Sequence, residues 1–180
     1  PSKAMIEILN EEIKKGKIKN ITAINAAWGN IKVKPHDAII CANVPELLKS
    51  KGFLKEISLL AKKAVFLIAG ADPNADKFYY KEIYPILFNK EFHARSDYLE
   101  TYTRLHNLGI FANVDIIDYN FDQPFDDLKE AIEFWKEYLG IVTEEHDEKL
   151  KSFLEKKLQR TKHGLLARFG KKSAIVWWKR

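Results

Sequence analysis

From position 36 the chain reads His36-Asp37-Ala38-Ile39-Ile40-Cys41-Ala42-Asn43-Val44-Pro45-Glu46-Leu47-Leu48. Positions 38–42 are apolar throughout, the small thiol of Cys41 included. An unbroken apolar run of this length between polar residues fits a strand covered on both faces, as the inner strands of a parallel sheet are. The predicted strand is 37–43. A helix opens at Pro45-Glu46 and continues through Leu47 and Leu48, and Asn43 stands where such a helix takes its cap.

Working outward, helical spacing returns at Phe53, Leu54, Ile57, Leu60 and Ala61, and a second buried-type strand follows at 64–69. Upstream, Ser2 caps a predicted helix over 3–15, whose Met5, Ile8, Leu9 and Ile13 share one face and which stops at Gly16. A strand is predicted over 21–27, with a loop to Pro35. Downstream, 70–74 is a turn and 79–88 a helix with Pro85 as start or kink. Ser96 or Asp97 caps a helix that runs through Leu108 and stops before Gly109. A strand at 114–121 follows. Asp127-Leu128-Lys129-Glu130 is a capping-box-like start for another helix, and Thr143 opens one with the stripe Leu150, Phe153, Leu154 and Leu158. The end is predicted as a hairpin, 164–169 and 173–179 about a turn at 170–172. Alternating strands and helices imply right-handed crossovers onto a mostly parallel sheet, hence one α/β domain over 1–180. The helical insertion 126–159 is its lid or packing layer.

Composition narrows the classes. With 46% hydrophobic residues, 8 Gly and 6 Pro in 180 residues, the chain is neither disordered nor low-complexity. No apolar run approaches the roughly 20 residues of a membrane span. A single cysteine excludes a disulfide framework and suits a reducing cytoplasm. Thirty Lys and Arg against 25 Asp and Glu give a net charge of +5, spread among residues of both signs, which argues against a nucleic-acid interface. The basic stretch 149–163 has a clean apolar stripe and reads as a solvated helix. His36, His106, His146 and His163 show no ligand spacing, so no metal is expected. In open sheets of this kind ligands lie beyond the carboxyl ends of the strands. That places the residues to inspect at 25–28, 41–46 and 70–74.

The stretch 36–48 resembles the fourth-strand motif of S-adenosylmethionine-dependent methyltransferases of the seven-stranded, Rossmann-like type. That motif has an acidic residue entering the strand, apolar residues, a small pair, a polar residue and a hydrophobic helix; Asp37 and Asn43 match in position and type. Residues 53–70 resemble the next helix and the fifth strand, 99–121 the later helix–Gly–strand unit, and the segment with Trp177-Trp178 the closing strands. Pro1-Ser2 before an amphipathic helix resembles the tail of the second strand. The resemblance spans nearly the whole chain and rests on order and spacing. It implies a Rossmann-like methyltransferase sheet, mostly parallel with a C-terminal antiparallel hairpin, in the family order 3-2-1-4-5-7-6. The family's glycine-rich loop and ribose-binding acidic residue have no counterpart in this sequence. That order puts strands one and two between 21–27, as the third strand, and 37–43, so without them the sheet would hold a gap of roughly 10 Å, lined by unpaired backbone. The resemblance therefore implies the later part of such a domain, lacking the first two strands and inactive by itself.

What the resemblance implies for the site follows residue by residue. Ser2, Ala26, Ala27, Trp28, Cys41, Ala42, Asn43 and Val44 fall at positions that bind S-adenosylmethionine. Trp28 either stacks on the adenine or packs at the rim. Asn43 either holds the amino-acid part of the cofactor or caps the next helix, and Cys41 is either a site residue or a small buried one. Tyr79, Tyr80 and Tyr84 either line the acceptor pocket or belong to the aromatic core. Methyl transfer is an in-line displacement that needs mainly positioning. For a hydroxyl acceptor His93 and Asp97 are the pair placed as base, and a loop histidine with a helix cap accounts for the same residues. The implied activity is cytoplasmic methyl transfer to a small-molecule acceptor. A noncatalytic α/β binding module or adaptor, and a methyltransferase acting on RNA, stay open.

Overall fold

The computed structural model describes residues 2–42, 44–73, 77–92 and 98–180. The chain divides into two units, 1–35 and 36–180. In the first, helix α1 (Lys3–Lys15) begins where Ser2 Oγ accepts from the Met5 amide at 3.4 Å and ends at Gly16, whose amide bonds to Glu12. Both caps satisfy backbone groups that a helix end leaves open. The predicted strand at 21–27 does not form, and the expected gap between it and 37–43 is absent with it: the described strands of the main sheet pair without interruption. Ile21, Thr22 and Ile24 favour extended backbone, yet a strand also needs a hydrogen-bonded neighbour; among the described residues the backbone bonds of 17–35 are local, such as Asn30 N–H to Ala27 O. No described residue of this unit is buried.

The second unit is built on β1 (His36–Ala42) and β2 (Ala61–Gly70), which run parallel, followed by β3 (Asn113–Asn120) and β7 (Gly170–Lys179). Their order across the sheet is β1-β2-β7-β3, with β7 antiparallel to both neighbours. Three strands thus share one direction, in the sequence 4-5-7-6 that the resemblance implies. Helices α2 (Pro45–Leu48) and α3 (Lys51–Leu60) connect β1 to β2; α4 (Tyr80–Phe88) and α5 (Tyr98–Asn107) precede β3.

Because side chains alternate along a strand, the pairing register assigns each to a face. Val65, Leu67, Ala174, Val176 and Trp178 share one face, and all are buried. Helix α3 covers it with Phe53, Leu54 and Ile57, and Trp178 Nε1 donates to Ser58 Oγ at 3.0 Å. On the other face stand Ile40, Phe66 and Trp177 in one cross-strand row, and Ala42, Ile68 and Ile175 in the next. None of these is buried, and Ile40 is 70% exposed. The run read as a strand covered on both faces is therefore an edge strand with one open face. Among the described residues nothing pairs with the outer side of β1.

The expected terminal hairpin is corrected as well. Residues 164–167 form β6 (Gly164–Ala167), which pairs with β4 (Gln123–Phe125) and β5 (Gln159–Thr161) in a separate sheet of order β4-β6-β5. The chain passes from that sheet to the main one at 168–169, where the Phe121 amide bonds to Phe169 O. The antiparallel partners of β7 are thus β2 and β3, the latter 50 residues upstream at Asn120–Gly170. Between them, α6 (Leu128–Leu139) and α7 (Asp147–Lys157) pack with the small sheet. Asp127 Oδ1 accepts from the Glu130 amide and Glu130 reaches back to the Asp126 amide, the reciprocal box predicted there. Helix α7 starts four residues after the predicted Thr143. Trp135, Leu150 and Leu154 are fully buried in this second core, with Phe78, Phe125 and Phe169 around them. Gly164 closes it. At φ +127, a Cβ there would meet Phe125 O and lie 2.8 Å from Asp126 O, so only glycine fits.

Candidate functional site

The carboxyl ends of β1, β2 and β3 lie along one edge of the main sheet, and the amino end of β7 joins them. The Ala71 amide bonds to Lys172 O at 3.1 Å, which ties the turn after β2 to the start of β7. Beside it is a cleft of about 540 Å³ lined by Asp72, Asp118, Tyr119, Asn120, Gly170, Lys171 and Lys172. A larger groove of about 700 Å³ lies between α6 and α7, over Leu128, Ile132 and Ile141. It receives no strand end of the main sheet, so the smaller cleft is the candidate.

The two lysines of the cleft differ. Lys172 pairs with Asp118 across the β3–β7 ladder, and with Asp72 also close this holds its ammonium pKa above the ordinary lysine value. Lys171 projects to the opposite face of β7, with Nζ 4.9 Å from the centre of the Phe121 ring and 5.6 Å from that of Tyr119. Such cation–ring contacts hold an ammonium in place without neutralising it. Tyr119 is itself fixed by a 3.0 Å hydrogen bond between its hydroxyl and the buried Ser173 Oγ.

The residues expected at the cofactor fall in two places. Ser2 is the cap of α1, and Ala26, Ala27 and Trp28 lie in the irregular part of the first unit, Trp28 half-buried. Cys41, Ala42 and Val44 mark the carboxyl end of β1, and burial raises the Cys41 thiol pKa. Asn43, His93 and Asp97 lie outside the described residues. At the β1 end the chemistry is apolar: a thiol, a methyl and an isopropyl group can face a purine or a methionine chain. They lack the strong hydrogen-bonding groups that a ribose or an α-amino acid needs. These residues therefore fit one wall of an S-adenosylmethionine site and not a whole one.

Tyr79, Tyr80 and Tyr84 do not line the cleft. Tyr79 stacks on Trp135 at 6.0 Å and 4°, Tyr80 packs on Phe92 at 4.9 Å, and Tyr84 on Phe88 at 4.7 Å. Phe78 and Tyr79 have φ of 55° and 56°, a left-handed conformation that costs roughly 1–2 kcal/mol per residue outside glycine. The Trp135 indole, donating to Phe78 O at 2.9 Å, and the surrounding rings offset it. Sequence reasoning reached Asp72, inside the turn at 70–74, and placed Asp118, Tyr119 and Asn120 near the end of the predicted strand 114–121 without singling them out. Lys171 and Lys172 were read as a turn because their pairing with β3 spans some 50 residues. The one available signal was the Lys171-Lys172 pair itself.

Among the described residues no group of three His, Cys, Asp or Glu could hold a metal ion, and no helix is long and apolar enough to cross a membrane. No protein-family model and no curated protein matches the chain. Solved structures do. The "putative methyltransferase" from Bacillus halodurans C-125 superposes over 99% of this chain and 79% of its own, with TM-score 0.56 and 12% identity. The YcgJ protein from Bacillus subtilis gives the same coverage with TM-score 0.54 and 10% identity. At this identity the likeness is one of fold: an α/β architecture similar to that of a methyltransferase-like structure.

Proposed function

We propose that this chain carries the acceptor side of an S-adenosylmethionine-dependent methyltransferase that acts on a small molecule. The observation that carries the reading is the strand order β1-β2-β7-β3 with β1 open at the edge. That order is the one the 4-5-7-6 part of the family sheet would have, with the cofactor strands continuing beyond β1. The open face through Ile40, Phe66 and Trp177 supports the same reading, since an apolar sheet face is stable only when covered. In it, one strand pairing parallel to β1 would bring polar groups that Cys41, Ala42 and Val44 do not offer, while Ala42 and Val44 form the apolar wall. The cofactor supplies an electrophilic methyl group. The chain's own contribution is to place the acceptor at the carboxyl edge and keep water from it. A cleft of about 540 Å³ suits a small molecule.

The test uses the protein as its own cell makes it, photocrosslinked to methyl-labelled S-adenosylmethionine and then digested. Label in the peptide that contains Cys41, Ala42 and Val44 supports the reading; label confined to other peptides, or none on folded protein, overturns it. A second reading, a noncatalytic binding module, has the incomplete cofactor wall in its favour and predicts no labelling.

A further inference from the structure

We propose that Lys171 anchors a carboxylate of the ligand in the cleft at the carboxyl edge of β2 and β3. Three observations carry this. The ammonium sits above the Tyr119 and Phe121 rings, and among the described residues no carboxylate lies within ion-pair distance of it. Lys171 is half-buried, so part of its side chain is already out of water before a ligand arrives. Its position is set by two flanking features, the β3–β7 ladder that pairs it with Tyr119 and the Tyr119–Ser173 hydrogen bond. A group so fixed loses little freedom when it binds.

The cleft's other charges select the kind of anion. Asp72 and Asp118 both stand beside Lys172, which leaves Lys171 as the cation of the cleft without a carboxylate of its own. The four charged side chains that line the cleft sum to zero, so a carboxylate adds one negative charge to it and a dianionic phosphate adds two, facing the same two aspartates. Asn120 offers an amide beside the same space and Tyr119 an aromatic ring; the Phe121 ring lies against the Lys171 ammonium. The ligand class is therefore a carboxylic acid with an apolar or aromatic body. If the methyl-transfer reading holds, this is the acceptor. Adjacent strands lie about 5 Å apart and residues about 3.3 Å along them; Ala42 is level with Ile68 and Ile175, four residues from Lys171, so the β1 end is roughly 16 Å from the anchor. The reacting atom would then lie that far from the carboxylate.

The experiment needs no methyl donor, so its failure and the failure of the methyl-transfer reading are separate results. The full chain is titrated with sodium benzoate, and separately with inorganic phosphate, at constant ionic strength while amide shifts are followed by NMR. Saturable benzoate shifts centred on Gly170, Lys171 and Asn120 are expected, with weaker phosphate binding. Lys171→Gln should raise the benzoate Kd about tenfold, the size of one charged hydrogen bond. Lys171→Arg should restore most of it, and Lys162→Gln should change nothing. The amide spectrum of each variant shows that it is folded. Absence of saturable shifts, equal weakening by Lys162→Gln, or phosphate binding at least as tight as benzoate would overturn the assignment.

Discussion

Phe78 and Ile40 are both large apolar side chains beside the main sheet, and they meet opposite surroundings: Phe78 is 1% exposed and Ile40 70%. Around Phe78 the chain brings α4, α6, α7 and the small sheet together, and the enclosure is tight enough to hold two consecutive residues in left-handed backbone. Around Ile40 the sheet ends. The row Ile40, Phe66, Trp177 has the same composition as a core, yet Ile40 is exposed and Phe66 and Trp177 are only half-buried. Hydrophobicity alone therefore does not distinguish core from interface in this molecule. What separates them is whether another element of the chain reaches them, and a large uncovered apolar surface marks an interaction site.

The contrast sets the order of mutational effects. Trp135→Ala removes a fully buried ring and leaves Phe78 O without its donor; a loss of about 3–5 kcal/mol is expected in urea unfolding. Gly164→Ala drives a methyl group into the Phe125 and Asp126 carbonyls at positive φ, with an expected loss of about 2 kcal/mol. Ile40→Ser, by contrast, should change stability by less than about 0.5 kcal/mol in the chain alone. A loss at Ile40 comparable to that at Trp135 would show the open face to be covered in solution and would break the comparison.

The smallest effect is expected at Asp37. Its carboxylate pairs with Lys63 at 2.8 Å at the amino end of β1, and that hydrogen bond holds its pKa below the ordinary value. A carboxyl lowered in the folded state stabilises above its unfolded pKa, and that contribution fades as pH falls through the lower, folded value. Both partners are well exposed, so Asp37→Asn should shift the melting temperature only slightly at neutral pH. The shift should vanish in about 1 M salt or below the folded pKa. A shift that persisted in salt would mean that Asp37 is shielded by a neighbour absent from the described sheet edge.

Much of this was legible in the sequence because the signals were local. Ser2 and Gly16 bound α1, the Asp127–Glu130 box starts α6, and the apolar runs mark β1 and β2. The misses have physical causes. β4 and β5 are three residues each, too short for a period to show. Residues 21–27 have strand propensity and no partner. Gly170-Lys171-Lys172 has turn composition, yet pairing with Asn120, Tyr119 and Asp118 makes it the start of a central strand. The candidate cleft depends on that long-range pairing, so its walls at Asp72 and at the end of the predicted strand 114–121 could be read from strand ends and its Gly170–Lys172 wall could not.

The open end of β1 as one wall of a methyl-donor site is tested most directly by calorimetry. The protein as its own cell makes it is titrated with S-adenosylhomocysteine, alongside an Ala42→Trp variant shown to be folded. Saturable heat that the tryptophan abolishes is the expected result. A folded protein that gives no heat, or a variant that binds as well as the parent, would contradict it.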